Sequence, residues 1–106
     1  MKKINMKAFN VTVRDGNGKE KEIKYGLKES LIEIIFNQAL KLNSLKLLKQ
    51  NDLAKKIETA GDELLLEEEE YVRVKEALDK VEGLGKNDVE LVQRVMNAET
   101  VEVTAK

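Results

Sequence analysis

Asp15-Gly16-Asn17-Gly18 constrains this chain more than any other stretch. It sets two Asx-Gly pairs in succession, and such pairs close β-hairpins because glycine enters the φ > 0 region without steric cost. The flanking residues agree. Phe9, Val11 and Val13 alternate with Ala8, Asn10 and Thr12, the period of a half-buried strand. On the return, Ile23 and Tyr25 take one face while Glu20, Glu22 and Lys24 take the other. Residues 6–25 therefore read as an N-terminal β-hairpin. Its turn joins two strands and leads into no helix, which is the wrong setting for a phosphate-binding loop.

After Gly26 the apolar period becomes helical. Leu27, Leu31, Ile34 and Ile35 form one stripe, predicting a helix over about 28–38. Asn43 or Ser44 can cap a second helical region reaching about Ala60, with Leu45, Leu48, Leu53, Ala54 and Ile57 as its stripe. That stripe slips at Gln50-Asn51-Asp52, which admits two short helices with Asn51 or Asp52 as the second cap. Residues 64–66 look extended. A helix on Tyr71, Val74, Leu78 and Val81 follows, and its start carries Glu67, Glu68, Glu69 and Glu70 where the helix dipole favours anions. Gly83-Leu84-Gly85 breaks the chain. Asn87-Asp88-Val89-Glu90 reads as a capping box for a last helix using Leu91, Val92, Val95 and Met96. Val101 and Val103 alternate with Glu102, as a short strand or a frayed tail.

These elements imply one α+β domain over residues 1–106, with 1–5 and 104–106 frayed. The hairpin is expected to pack its Phe9, Val11, Val13, Ile23 and Tyr25 face on three to four helices, with 64–66 or 101–103 as additional strands. The expected core is Phe9, Val11, Ile23, Leu31, Ile35, Leu53, Ile57, Leu66, Tyr71, Val74, Leu78, Leu91 and Val95.

The residue inventory narrows the chemistry. The chain has no His, Cys, Trp or Pro. Without cysteine there is no disulfide framework and no thiolate zinc site. Ser30, Ser44 and the threonines lack a histidine base, and no Ser-Lys motif replaces it. No enzyme activity, cofactor or metal is expected. No run approaches the length of a membrane span, and the basic N-terminus has no apolar core of a signal peptide. The expected location is the cytoplasm.

Charge and surplus apolar residues supply the candidate surfaces. Residues 1–28 carry eight Lys or Arg against three Asp or Glu, while residues 61–98 carry five against eleven. The hairpin lysines Lys19, Lys21 and Lys24 are candidate nucleic-acid contacts, since β-ribbons enter grooves and lysines neutralise phosphates. Glu67, Glu68, Glu69 and Glu70 form a candidate acidic patch for a basic partner. Consecutive helical carboxylates diverge, so they do not form a calcium loop. Ile32, Phe36, Leu40 and Leu42 fall beside the main stripes and form a candidate protein interface.

Four stretches carry a resemblance: residues 15–19, Leu53-Ala54-Lys55-Lys56-Ile57, Glu63-Leu64-Leu65-Leu66-Glu67 and Val74-Lys75-Glu76-Ala77-Leu78. In this order the chain resembles short proteins encoded by bacteriophages and prophages over about residues 10–82. The resemblance rests on turns and core positions and carries over no functional residue. It implies a small accessory protein of a bacterial host cytoplasm. The expected function is non-enzymatic, through contacts with protein chains and with copies of itself. The alternative is a small nucleic-acid-binding regulator that uses the basic hairpin.

Overall fold

The computed structural model describes residues 1–102. In chain order they form β1 (Lys2–Asn5), β2 (Asn10–Arg14), β3 (Glu20–Lys24), α1 (Leu27–Ile35), a 3-10 turn (Gln38–Leu40), α2 (Ser44–Thr59), β4 (Glu63–Leu66), α3 (Glu68–Lys80), a second 3-10 turn (Lys86–Asp88), α4 (Val89–Met96) and β5 (Glu99–Thr100). The fold is α+β, with the strands in two separate sheets.

The first sheet has the order β4-β1-β5 and is antiparallel throughout. Its centre is the segment expected to fray. Lys2–Asn5 is a strand because Ile4 sits opposite Leu64, and both side chains are buried with Leu66. The partners lie far away in sequence, so local pattern could not reveal the pairing. Lys3 reaches Glu63 at 3.8 Å and Glu99 at 3.4 Å, so part of the basic front meets the acidic back within the fold. Val101 extends this edge through a bond from its N–H to the Met1 carbonyl at 2.8 Å. Val103 and residues 104–106 lie outside the described residues.

The helices build the core. Leu31, Ile35, Leu53, Ile57, Leu66, Tyr71, Val74, Leu78, Leu91 and Val95 are buried as expected, joined by Ile4, Met6, Ile34 and Ala77. α2 is a single helix, capped by the Asn43 side chain, which accepts from the Lys46 N–H at 2.9 Å. Neither Asn51 nor Asp52 starts a new helix. Instead Gln50 is turned inward, only 4% exposed. Its amide donates to the Ile35 carbonyl at the end of α1 at 3.0 Å and accepts from Arg73 of α3 at 3.1 Å. A buried polar side chain is tolerable when its hydrogen bonds are made, and here they tie three helices together.

The second sheet is the hairpin β2-β3. Its turn closes with the Gly18 N–H on the Asp15 carbonyl at 3.0 Å, and Gly18 alone of its two glycines takes positive φ, at 78°. The Asp15 carboxylate accepts from the Asn17 and Lys19 N–H groups at 2.9 and 3.0 Å. The arrangement is a turn followed by a left-handed residue, one of the common three-residue hairpin loops.

The hairpin does not lay its face on the helices. β2 and β3 contact chiefly each other. The half nearer the body is held: Phe9 stacks on Tyr25 at 4.9 Å and Val11 packs against the edge of the core, while Val13 is half-buried and Ile23 is 39% exposed. The molecule is accordingly elongated, 54 × 33 × 21 Å, with a radius of gyration of 15.0 Å, against about 13 Å for a compact chain of this length.

Candidate interaction surfaces

The root of the arm is a clamp. The Tyr25 hydroxyl donates to the Asp88 carboxylate at 2.6 Å. Burial, reinforced by that carboxylate, pushes the Tyr25 pKa up to about 12. The Arg94 guanidinium lies 4.6 Å from the Phe9 ring and donates to the Asn5 and Lys7 carbonyls at 3.2 and 2.7 Å. The expected capping box at 87–90 is not formed. Asp88 instead accepts from the Gly85 N–H at 2.8 Å, and Asn87 donates to the Thr12 carbonyl at 3.3 Å. Both residues serve the arm rather than α4.

The three candidate nucleic-acid lysines do not share a surface. The register sets Val11 opposite Ile23 and Val13 opposite Lys21. Side chains alternate along a strand, so Lys19 and Lys21 stand on the apolar face while Lys24 stands on the other with Glu20 and Glu22. The arm carries two lysines on its apolar face and mixed charge on the other.

The acidic run is largely engaged. Glu70 accepts from the Glu67 N–H at 2.9 Å and from Lys56 at 2.7 Å. Glu69 faces Lys49 at 3.8 Å. Glu70 caps the start of α3, and Glu69 and Glu70 meet the lysines of α2.

Ile32, Phe36 and Leu40 are half-buried against the edge of the core, and Leu42 is half-buried as well. α1 stops at Ile35, and the 3-10 turn folds Leu40 back onto the body. The apolar surplus emerges one element later. Leu45 is 63% exposed and Leu48 64% exposed, with Leu47 exposed at their flank. At 100° per residue, Leu45 and Leu48 lie opposite the face that carries Leu53, Ala54 and Ile57. They are not on the buried stripe, because the first turns of α2 run past the core, whose first buried α2 residue is Gln50. Lys46 and Lys49 flank these leucines in sequence, with Lys49 3.8 Å from Glu69 of α3, and Asp52 follows one turn later on the same face.

Among the described residues no helix is long and apolar enough to cross a membrane, and no group of His, Cys, Asp or Glu is placed to hold a metal ion. No protein-family model, curated protein or solved structure matches the chain.

Proposed function

We propose that this protein is a non-enzymatic accessory protein of a phage or prophage, working in the bacterial cytoplasm by holding another protein chain. The observation that carries this is the Leu45/Leu48 face of α2, two side chains left mostly in water on a helix whose other face is packed. Paired leucines at that spacing, bordered by lysines, suit an amphipathic segment of another protein with acidic residues flanking its apolar stripe. The lack of histidine and cysteine supports the non-enzymatic part of this reading, and the phage setting rests on the resemblance of residues 10–82.

The test is affinity capture from prophage-bearing cells with the natural chain against Leu45→Glu/Leu48→Glu. The expected result is an acidic partner that the natural chain retains, that the variant loses, and that raised salt weakens. An identical captured set for both proteins removes the reading.

A second reading uses the arm as a nucleic-acid ribbon, and its projection from the body, with Arg14, Lys19 and Lys21 toward its tip, favours it. Binding should then fall steeply with salt and weaken on charge reversal at Lys19, Lys21 and Lys24 for every sequence tested. A flat titration with duplex and single-stranded DNA and RNA at low salt eliminates it.

A further inference from the structure

The outer edge of β3 is open in a specific way. The Tyr25 N–H donates to the Phe9 carbonyl and the Asp15 N–H to the Lys19 carbonyl, each at about the same length, 3.0 and 2.9 Å. Within the antiparallel pair the odd-numbered residues therefore turn their backbone groups inward, and Glu20, Glu22 and Lys24 turn theirs outward. On β2 the corresponding outward carbonyl of Thr12 is taken by Asn87. On β3 nothing among the described residues covers the edge, because its pairing is with β2 alone. A two-stranded ribbon is marginal in water, and this one shows Ile23 to solvent beside Val11 on the same face.

We infer that β3 pairs antiparallel with β3 of a second copy of this chain, with Ile23 opposite Ile23 across the two-fold axis. This register sets the outward-facing Glu22 of each chain against the outward-facing Lys24 of the other. It forms two attractive pairs and lets these residues exchange backbone hydrogen bonds across the axis. Neighbouring registers are worse. Centring on Glu22 also makes two pairs, of Glu20 with Lys24, but sets Glu22 against itself on the axis between them. Centring on Lys21 sets lysine against lysine and glutamate against glutamate. Centring on Lys24 again opposes like charges. Shifts by a single residue bring outward groups against inward ones. Charged edges are the usual guard against indiscriminate pairing, and this charge order leaves one self-complementary alignment. The result is a four-stranded sheet across two molecules, with Val11, Ile23, Ile23 and Val11 in one apolar row. It is independent of the α2 face proposed above for a different partner.

Cysteine cross-linking tests it directly, since the chain has no cysteine of its own. Opposed residues at a non-hydrogen-bonded antiparallel site have Cα atoms about 4.5 Å apart, within disulfide reach. Ile23→Cys should oxidise to a covalent dimer at least about tenfold faster than Glu20→Cys or Thr12→Cys. In sedimentation, Glu22→Lys alone or Lys24→Glu alone should weaken the dimer by about tenfold or more, because each converts two attractive pairs into two repulsive ones. Glu22→Lys/Lys24→Glu together should restore it. Within one chain these residues face only Thr12 and Asn10, so the hairpin itself is undisturbed. A natural chain that sediments as a monomer up to hundreds of micromolar, with no preference for cross-linking at Ile23, overturns the inference. So does a dimer indifferent to the charge exchange. Neither result bears on capture through Leu45 and Leu48, and loss of that capture leaves the Ile23 cross-link unaffected.

Discussion

The body and the arm are built from equally regular sequence, yet they hold together differently. In the body every element has a neighbour: β1 lies between two strands, α3 packs on α1 and α4, and Leu31, Leu53 and Leu91 are sealed. In the arm each strand has one partner, and the side chains with the pattern of a core face are only partly covered. Alternation creates an apolar face, but burial needs a second layer, and the body covers that face only in part, packing on Phe9 and Val11 and leaving Ile23 exposed. The clamp of Tyr25, Asp88, Phe9 and Arg94 holds the arm by its root.

The widest separation between the two regions is expected from truncation. Leu53→Ala, at a fully buried site, should destabilise the protein by about 2–5 kcal/mol in denaturant unfolding. Ile23→Ala in the monomer should cost under about 1 kcal/mol, as surface changes do. Equal losses would mean that the arm is packed like the body.

Next in size is the polar tie between helices. Gln50→Ala leaves the Ile35 carbonyl and the Arg73 guanidinium without their partner, and burial makes that cost about 1–3 kcal/mol. Gln50→Leu should recover little of it, since the orphaned groups remain. Full recovery would show that the site is used for volume rather than hydrogen bonding.

A smaller effect belongs to the turn. Gly18→Ala forces a side chain into positive φ and should cost about 1 kcal/mol, seen as faster amide exchange confined to the arm. Gly16→Ala, at a site with open space and no positive φ, should leave exchange unchanged.

An effect of similar size concerns the clamp and is read by pH. The Tyr25 phenol holds its proton more tightly in the fold than in the unfolded chain. Below pH 10 both states are protonated and the contribution is complete. As pH rises from 10 toward 12 the unfolded chain ionises first, so stability falls through that window. Tyr25→Phe should lose about 0.5–1.5 kcal/mol at neutral pH and should show a shallower decline above pH 10. The natural chain's phenolate absorbance should develop late, and an ordinary tyrosine titration would contradict the clamp.

Much of the body was legible from local pattern. The helices around Leu31, Ile57, Leu78 and Val95 follow from apolar spacing alone, with Asn43 and Gly61 at the limits of α2. Other features left no local mark. Lys2–Asn5 shows one buried side chain and two lysines, so its central place in a sheet came only with Leu64 and Thr100 as partners. Asn87 looked like a helix cap, yet its side chain bonds the arm at Thr12. Ile32, Phe36, Leu40 and Leu42 are half-buried while Leu45 and Leu48 stand exposed, and the signal for that exposure was present. The slip at Gln50-Asn51-Asp52 marks where the apolar stripe changes face on an unbroken helix.

By itself the sequence determined the helices and the turn at Gly18, because backbone sterics and side-chain period act over a few residues. It also determined the chemical poverty of the surface, because no fold supplies an imidazole or a thiol the chain does not encode. Tertiary structure decided which apolar faces were buried. Leu53 and Leu48 have the same side chain on the same helix, and one is sealed while the other stands in water. The difference lies in which side of α2 each residue takes, since the core packs against the face of Leu53 and leaves the face of Leu48 to solvent.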